Sequence, residues 1–190
     1  MSRAMQQYQR AWTTLEQTAA AVAPSAWERP SPCRGWTARQ LVGHLVDGHH
    51  QVQALLAGTG PAPPTSDVPA LAALAGPDPA SALRGATTEV RATLAGLDPA
   101  VMAETPRGPL PVEQLLSMAV VEPFVHGWDL AVATGQHVTA RPRADGHIAP
   151  RRAAARRAAR RHRQYAPARY VPDDAPDAQR LLAALGRPVG

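Results

Sequence analysis

Residues 36–45 have the sequence Trp-Thr-Ala-Arg-Gln-Leu-Val-Gly-His-Leu, and this stretch predicts where a long helix begins. Thr37 and Gln40 form the pattern of a capping box, in which the threonine hydroxyl accepts from the Gln40 amide while the glutamine side chain reaches back. The tryptophan and the leucine that flank this box occupy the two positions of a hydrophobic staple. We therefore predict a helix that begins at residue 37 or 38 and runs to about Leu56.

Four further helices are predicted from apolar residues spaced at threes and fours and from capping signals. Their predicted ranges are 3–23, 79–96, 112–133 and 176–185. The helix over 112–133 is apolar on most of its circumference, which is typical of a helix buried inside a bundle. Six prolines between residues 59 and 79 predict a long crossover loop with a turn of helix inside it.

The composition favours an all-α fold. The chain has 190 residues, the size of one ordinary domain, and 39 of them are alanine. Phe, Tyr and Trp together number only eight, and a β-sandwich or barrel would need many more aromatic and β-branched residues. Small side chains allow helices to pack closely, so we predict an all-α protein.

The positive charge is concentrated in one segment. The net charge is +5, but ten of the 20 arginines lie between residues 141 and 169 beside a single acidic residue. The remainder has ten arginines against 14 acidic residues and is mildly acidic. We expect this segment to be a solvated helix or a flexible stretch. It lacks the interleaved aromatic residues of single-strand binders, so a role in binding nucleic acid or an acidic partner is the weakest of the functional alternatives.

Other features predict the cellular compartment. The single cysteine, Cys33, excludes an internal disulfide framework and a zinc site built from cysteines. No apolar run approaches the roughly 20 residues needed to span a bilayer. The polar N-terminus is typical of a helix rather than of a signal peptide. We therefore expect a soluble cytoplasmic protein that has no membrane partner.

Polar side chains on otherwise apolar predicted helices are the candidate functional residues. His44 lies on the helix that follows the capping box, and Glu122 and His126 lie on the helix over 112–133. Four residues amount to about 40° of rotation, so Glu122 and His126 share a face, to which Asp129 returns. Two interpretations stay open. One is a local ion pair, and the other is a divalent cation that offsets the cost of burying the carboxylate.

The metal interpretation has a specific precedent, because two imidazoles and a carboxylate are the protein ligands of a catalytic zinc site with an open fourth position. Asp129 is a candidate to orient His126 through its other ring nitrogen, with a helix-end hydrogen bond as the alternative. Pro123 directly follows Glu122 and predicts a kink between the two candidate ligands.

The remaining notable residues are predicted to be structural. We expect His49 and His50 at a polar helix end, Cys33 as a small buried loop residue rather than a nucleophile, and Arg187 on the surface. Trp36 and Trp128 are expected in the core. No role is assigned to His137, His147 and His162.

Two stretches carry a family resemblance: Ser31-Pro-Cys-Arg-Gly-Trp-Thr-Ala-Arg-Gln-Leu-Val-Gly-His-Leu45, and the run from Glu122 through His-Gly-Trp-Asp-Leu-Ala131 to Thr-Gly-Gln136. They resemble the metal-binding domain of mycothiol-dependent maleylpyruvate isomerases, within the wider DinB/YfiT-like group of four-helix bundles. The ending of the chain also looks like a shorter, uncharacterised metal-binding branch of that group. The resemblance implies a DinB-like four-helix bundle with a long crossover loop and a short C-terminal helical extension.

The resemblance also implies a site and a chemistry. Its motif positions correspond to His44, Glu122 and His126 as ligands of a divalent metal, with zinc expected first and nickel, iron or manganese as alternatives. It implies mycothiol or a similar low-molecular-weight thiol as cosubstrate, and transfer to, or isomerisation of, a small electrophile. We expect no counterpart of the isomerase's larger C-terminal domain, which leaves open whether the same reaction occurs.

Several alternatives therefore remain. A metal-dependent thiol transferase or isomerase is the first hypothesis, and a non-catalytic metal-binding bundle for sensing or storage is the second. A homodimer is compatible with either. We expect three regions: a metal-binding bundle over 1–136, an arginine-rich segment over 137–169, and a C-terminal helix over 170–190 that packs on the bundle.

Overall fold

A computed structural model describes residues 2–60, 63–106, 108–136 and 166–188. Most of the arginine-rich segment lies outside the described residues, as do His137, His147 and His162. The expectations for that segment, and the division of the chain into three regions, therefore stay predictions.

The described residues form seven α-helices and one β-hairpin, which confirms the predicted all-α class apart from the hairpin. A short 3₁₀ turn at Pro24–Ala26 follows the first helix. The helices are α1 (Arg3–Ala20), α2 (Ala38–Leu56), α3 (Val68–Ala75), α4 (Pro79–Ala95), α5 (Val112–Ala119), α6 (Val121–Thr134) and α7 (Asp177–Ala184). The strands are β1 (Met102–Thr105) and β2 (Gly108–Pro111).

The bundle consists of α1, α2, α4 and the consecutive pair α5–α6. Helix α2 packs against α4 and α6, and α1 packs against α4, α5 and α6, so the four rods enclose one core. This arrangement places one face of α2 opposite one face of α6. The core is made largely of leucine, valine, alanine and a few aromatic residues, including Tyr8, Trp12, Leu15, Leu41, Leu45, Leu71, Leu83, Val90, Leu116 and Leu130.

Helix α2 begins as predicted. The Thr37 hydroxyl accepts from the Gln40 amide at 3.4 Å, and the Gln40 side chain accepts from the Thr37 amide at 2.7 Å. Both halves of the capping box are therefore present, and Trp36 and Leu41 are buried beside it. The cap fixes the rotation with which α2 enters the bundle, and so fixes the direction of His44 two turns later.

The crossover helix α3 lies directly on α2. At Gly43 an added Cβ would come within 1.8 Å of the Leu71 carbonyl oxygen, so only glycine allows the two backbones to approach this closely. The contact holds the crossover against the middle of α2, one residue before His44.

The predicted helix over 112–133 is divided in two. It breaks at Val120, between α5 and α6, and not between Glu122 and His126 as expected from Pro123. Because α6 begins at Val121, Pro123 lies in its first turn, where the missing N–H has no intrahelical partner to lose. Glu122 and His126 therefore stand on one uninterrupted helix.

The stretch Val112–Thr134 also bears on the membrane expectation. Within the described part of the chain, it alone is long and apolar enough to cross a membrane by length and composition. The expectation that no such run exists is therefore wrong on those two criteria. About two fifths of the most apolar part of the stretch is buried inside the protein (39%), and the stretch contains the buried polar residues His126 and Asp129.

The hairpin was not predicted. Strands β1 and β2 pair antiparallel, with Met102 opposite Pro111 and Thr105 opposite Gly108. Pro109 and Pro111 favour a helix start in the sequence, but they lie in a short edge strand, where a proline costs no ladder hydrogen bond on its open side.

The C-terminal helix packs on α6. Leu181, Leu182 and Leu185 are buried in a cluster with Val125, which confirms both the predicted helix over 176–185 and its apolar face. Gly186 follows with a φ of 79°, and a Cβ there would meet the Ala166 carbonyl oxygen at 2.4 Å. This glycine turns the chain so that the next side chain enters the bundle.

Candidate metal centre

Three polar side chains from α2 and α6 converge on one point. The Nε2 atoms of His44 and His126 lie 3.4 and 3.1 Å from the same Glu122 oxygen, Oε2. The two imidazole rings stand nearly perpendicular, with centroids 5.2 Å apart. One donor atom from each residue falls within 4.8 Å of the others. We call His44, Glu122 and His126 the outer donor set.

The outer donor set is partly exposed at His44 and Glu122 and buried at His126. The His126 side chain is 4% exposed, whereas those of His44 and Glu122 are 29% and 47% exposed. Trp36 is buried with its ring centroid 5.0 Å from that of His44, and so backs the histidine from the bundle side. A small molecule can therefore reach the convergence point from solvent, while the inner side is closed by packed side chains.

The spacing of the outer donors suits a tetrahedral cation. With metal–nitrogen and metal–oxygen distances of about 2.0–2.2 Å, two ligand atoms of a tetrahedral site lie roughly 3.3–3.5 Å apart. The observed separations of 3.4 and 3.1 Å from the Glu122 oxygen are close to that. These residues therefore fit a divalent cation such as zinc by donor type and by spacing.

A second group of side chains lies behind His126. The Nδ1 atom of His126 donates to Asp129 Oδ2 at 3.0 Å, and Asp129 is fully buried. The Arg187 guanidinium binds both carboxylate oxygens, with Nε 2.9 Å from Oδ1 and Nη2 2.7 Å from Oδ2. Asp129 thus contacts both His126 and Arg187. Arg187 is only 1% exposed, so the expectation of a surface arginine is wrong.

Cys33 completes this second group. Its Sγ lies 3.3 Å from Asp129 Oδ2, 3.8 Å from His126 Nδ1 and 3.2 Å from Arg187 Nη2. The cysteine is buried in the loop before α2, as predicted, and the Ser31 hydroxyl accepts from its amide. We call Cys33, His126 and Asp129 the inner donor set; their donor atoms also fall within 4.8 Å of one another.

The electrostatics favour a positive charge at His126. Partial burial would by itself raise the pKa of Glu122, but hydrogen bonds from His126 and His44 outweigh this and hold that pKa well below its ordinary value. Burial alone would lower the pKa of His126, yet its acceptors Asp129, Cys33 and Glu122 raise it well above the ordinary value. The carboxylates of Glu122 and Asp129 thus lie on either side of the His126 imidazole. A cation bound at Nε2 would be stabilised by the same two negative charges.

The carboxyl of Asp129 stays ionised for similar reasons. Burial by itself would raise its pKa, but hydrogen bonds from His126 and Arg187 and the positive charges on both lower it. An ionised carboxylate is the form that accepts the Nδ1 proton of His126, so Nε2 is the nitrogen that would bind a cation once that cation replaces the Nε2 proton.

His49 lies in the core rather than at a polar helix end, which corrects the prediction. It is 1% exposed and its ring stacks on that of Trp12, with centroids 3.8 Å apart. Thr87 donates its hydroxyl proton to a main-chain carbonyl, so His49 Nε2 must donate to Thr87 at 3.1 Å and Nδ1 must accept from Tyr8 at 3.4 Å. Burial, with smaller contributions from His50 and Arg91, lowers the pKa of His49 to about 3.

The other predicted structural residues fall as follows. Trp36 is in the core, as expected, while Trp128 is only partly buried, against the α7 cluster. His50 is exposed. Arg187 and the neighbourhood of Cys33 were missed because both depend on contacts between residues far apart in the chain. His49 carried a usable signal, since it continues the apolar spacing of Val42, Leu45 and Val46.

Comparison with known proteins agrees with this fold. The family model described as the mycothiol maleylpyruvate isomerase N-terminal domain matches residues 8–131. Two uncharacterized proteins of Mycobacterium tuberculosis, from strains CDC 1551 / Oshkosh and H37Rv, are each 30% identical over 168 residues, which cover 84% of this chain and 84% of theirs.

Solved structures show the same fold. The crystal structure of the mycothiol-dependent maleylpyruvate isomerase superposes with a TM-score of 0.64 at 16% identity, over 80% of this chain and 68% of that one. A histidine-to-alanine mutant of that isomerase gives a TM-score of 0.58 at the same identity and coverage. Because the family model matches well over half of the chain, the protein belongs to the mycothiol maleylpyruvate isomerase N-terminal domain family.

Proposed function

We propose that the protein binds one divalent cation, zinc before other metals, through His44, Glu122 and His126, and that it uses this site to activate a low-molecular-weight thiol. The reaction class is transfer of the thiol to a small electrophile, or thiol-assisted isomerisation of that electrophile. The observation that carries the proposal is the convergence of two imidazoles and a carboxylate at one half-open point between α2 and α6.

The arrangement exceeds what a surface ion pair requires. Exposed pairs contribute about 0–1 kcal/mol and need no buried partner. Here His126 is almost fully buried, and its Nδ1 lies 3.0 Å from Oδ2 of the buried Asp129. Metal-binding histidines characteristically donate their other N–H to a carboxylate, which fixes the tautomer. The Asp129–His126 contact therefore supports a metal ligand over a structural histidine.

The protein side chains have separate tasks in this proposal. The neutral imidazoles of His44 and His126 would bind the cation through Nε2, and the Glu122 carboxylate would offset part of its charge. A bound divalent cation lowers the pKa of a thiol in the remaining position and favours the nucleophilic thiolate. Asp129 holds His126 in the required orientation, and Trp36 limits the motion of His44.

The relatives support the choice of thiol. The structural neighbour is described as a mycothiol-dependent maleylpyruvate isomerase, so mycothiol is the first thiol to test and a small unsaturated acid the first class of electrophile. Turnover of such a compound with mycothiol would identify an enzyme. A bundle that binds metal but neither thiol nor electrophile would instead serve in sensing or storage.

Metal analysis tests the proposed site. We expect about one equivalent of divalent metal in the purified protein and its loss from His44→Ala and from His126→Ala. His50→Ala is the matched control, because His50 lies exposed on the same helix as His44. If the wild-type protein stays free of metal after reconstitution with zinc, the proposal is refuted. Full metal occupancy in both His44→Ala and His126→Ala would also refute it.

A second experiment separates an enzyme from a passive binder. In cobalt-substituted protein, mycothiol should change the visible spectrum and add a thiolate-to-cobalt absorption, whereas S-methylated mycothiol should not. A spectrum that is unchanged by the free thiol at saturating concentration would contradict the thiol-activating role while leaving metal binding intact.

A further inference from the structure

The inner donor set has the composition and spacing of a metal site of its own. Cys33 Sγ, His126 Nδ1 and Asp129 Oδ2 are separated by 3.8, 3.3 and 3.0 Å. A tetrahedral zinc ion with one sulfur, one nitrogen and one oxygen ligand needs separations of roughly 3.3–3.6 Å. All three residues are buried. By distance alone, a cation has two places to bind beside His126, one on each ring nitrogen.

A cationic side chain already lies against the inner donor set. Arg187 Nη2 is 2.7 Å from Asp129 Oδ2 and 3.2 Å from Cys33 Sγ, and Nε binds the other carboxylate oxygen. The guanidinium is held from behind, since Nη1 donates to the Leu185 carbonyl at 3.0 Å. The turn at Gly186 delivers it from α7. The charge that a metal would supply here is thus supplied by the protein.

The two positions exclude one another. A neutral imidazole has one nitrogen with a proton and one with a free lone pair. When Asp129 accepts the Nδ1 proton, the lone pair of His126 lies on Nε2 and faces His44 and Glu122. When a metal binds Nδ1, the proton moves to Nε2 and the outer donor set loses its buried ligand. The group that accepts the Nδ1 proton therefore determines which ring nitrogen of His126 binds the metal.

We propose that Arg187 is a positioning residue that selects the metal position: its guanidinium fills the inner donor set, keeps Asp129 as an acceptor for His126, and so confines the cation to the outer donor set. This inference rests on the proposed metal site. In this proposal the turn after α7 contributes Arg187, which positions the metal without binding it. Loss of the guanidinium should weaken the outer site and allow thiolate ligation by Cys33, with release of the thiol proton.

Cobalt binding tests this, because a cobalt–thiolate bond has a distinct near-ultraviolet absorption. Wild-type protein without added thiol should bind cobalt with no thiolate absorption. Arg187→Gln should bind it 10–100-fold more weakly at the outer site and acquire a thiolate absorption. That absorption should vanish in the Cys33→Ser/Arg187→Gln double variant. Arg180→Gln, which removes an arginine that pairs with Asp177 within α7, should match the wild type.

Arg187→Lys covers the case in which the glutamine variant does not fold. A single ammonium cannot bind both carboxylate oxygens as a guanidinium does, so we expect about tenfold weaker cobalt binding with a wild-type circular dichroism spectrum. Wild-type affinity in the lysine variant would overturn the inference, as would a thiolate absorption in the wild type or its absence from folded Arg187→Gln. The first and the third of these results leave the proposed function standing, whereas a thiolate absorption in the wild type, or its failure to bind cobalt, refutes the proposed function itself.

Discussion

The buried histidine at position 49 makes the stability of the bundle depend on pH. In the folded protein the pKa of His49 is about 3, against an ordinary value of 6.5, because the ring is removed from water and lies near the charges of His50 and Arg91. Between these values the unfolded chain binds a proton that the folded protein does not. Stability is therefore fully present above pH 6.5, falls as the pH falls below it, and stops falling near pH 3.

The size of the effect follows from the two pKa values. Integrating the proton-binding difference gives a loss of about 2 kcal/mol between pH 7 and pH 5. His49→Gln provides the reference, because glutamine can bond to Thr87 and Tyr8 but does not titrate. Relative to that variant, the wild type should lose about 2 kcal/mol over this range.

Urea denaturation followed by circular dichroism at pH 7, 6 and 5 measures this difference. A chelator is present throughout, so that metal binding does not contribute to the measured stability. His50→Gln is the control for the exposed neighbour, which should leave most of the pH dependence in place. If wild type and His49→Gln lose stability in parallel over this range, the account of His49 as a neutral core residue is wrong.

Three further predictions concern the site and the helix that carries it. Glu122→Gln should lower zinc affinity at least tenfold in competition with a chromophoric chelator, whereas Glu113→Gln on α5 should not. Gly43→Ala should destabilise the protein by about 3 kcal/mol in urea denaturation, because its Cβ would meet the Leu71 carbonyl; Gly48→Ala, in open space on α2, should be neutral or stabilising by up to about 1 kcal/mol. Thr37→Ala should cost about 1 kcal/mol, as the capping box is lost, and an unchanged midpoint would contradict that role.

Local patterns predicted the helices because each has its own start and stop signals. The capping box at Thr37 and Gln40 placed the start of α2 within a residue, and Gly186 placed the end of α7. The outer donor set was predictable for a related reason: Glu122 and His126 lie one turn apart, so their shared face follows from helix geometry alone. His44 was a candidate because it is a polar residue on an otherwise apolar helix, and the family resemblance grouped it with Glu122 and His126 as ligands.

The rest depended on contacts that no local pattern encodes. Arg187 lies 58 residues beyond Asp129, and only the packing of α7 on α6 brings the two together. The break at Val120 was missed because the sequence predicts one helix from residue 112, in which Pro123 is internal, whereas Pro123 lies in the first turn of α6. The hairpin was missed because its prolines are also typical of a first helical turn.

X-ray absorption of the zinc-loaded wild-type protein, without added thiol, tests the central claim most directly. We expect the spectrum of a four-coordinate ion with two imidazoles, with oxygen in the remaining positions and no sulfur at about 2.3 Å. His44→Ala and His126→Ala should each show fewer imidazoles or no bound zinc. A sulfur ligand in the wild type, or an unchanged imidazole signal in both variants, would contradict the assignment of the cation to His44, Glu122 and His126.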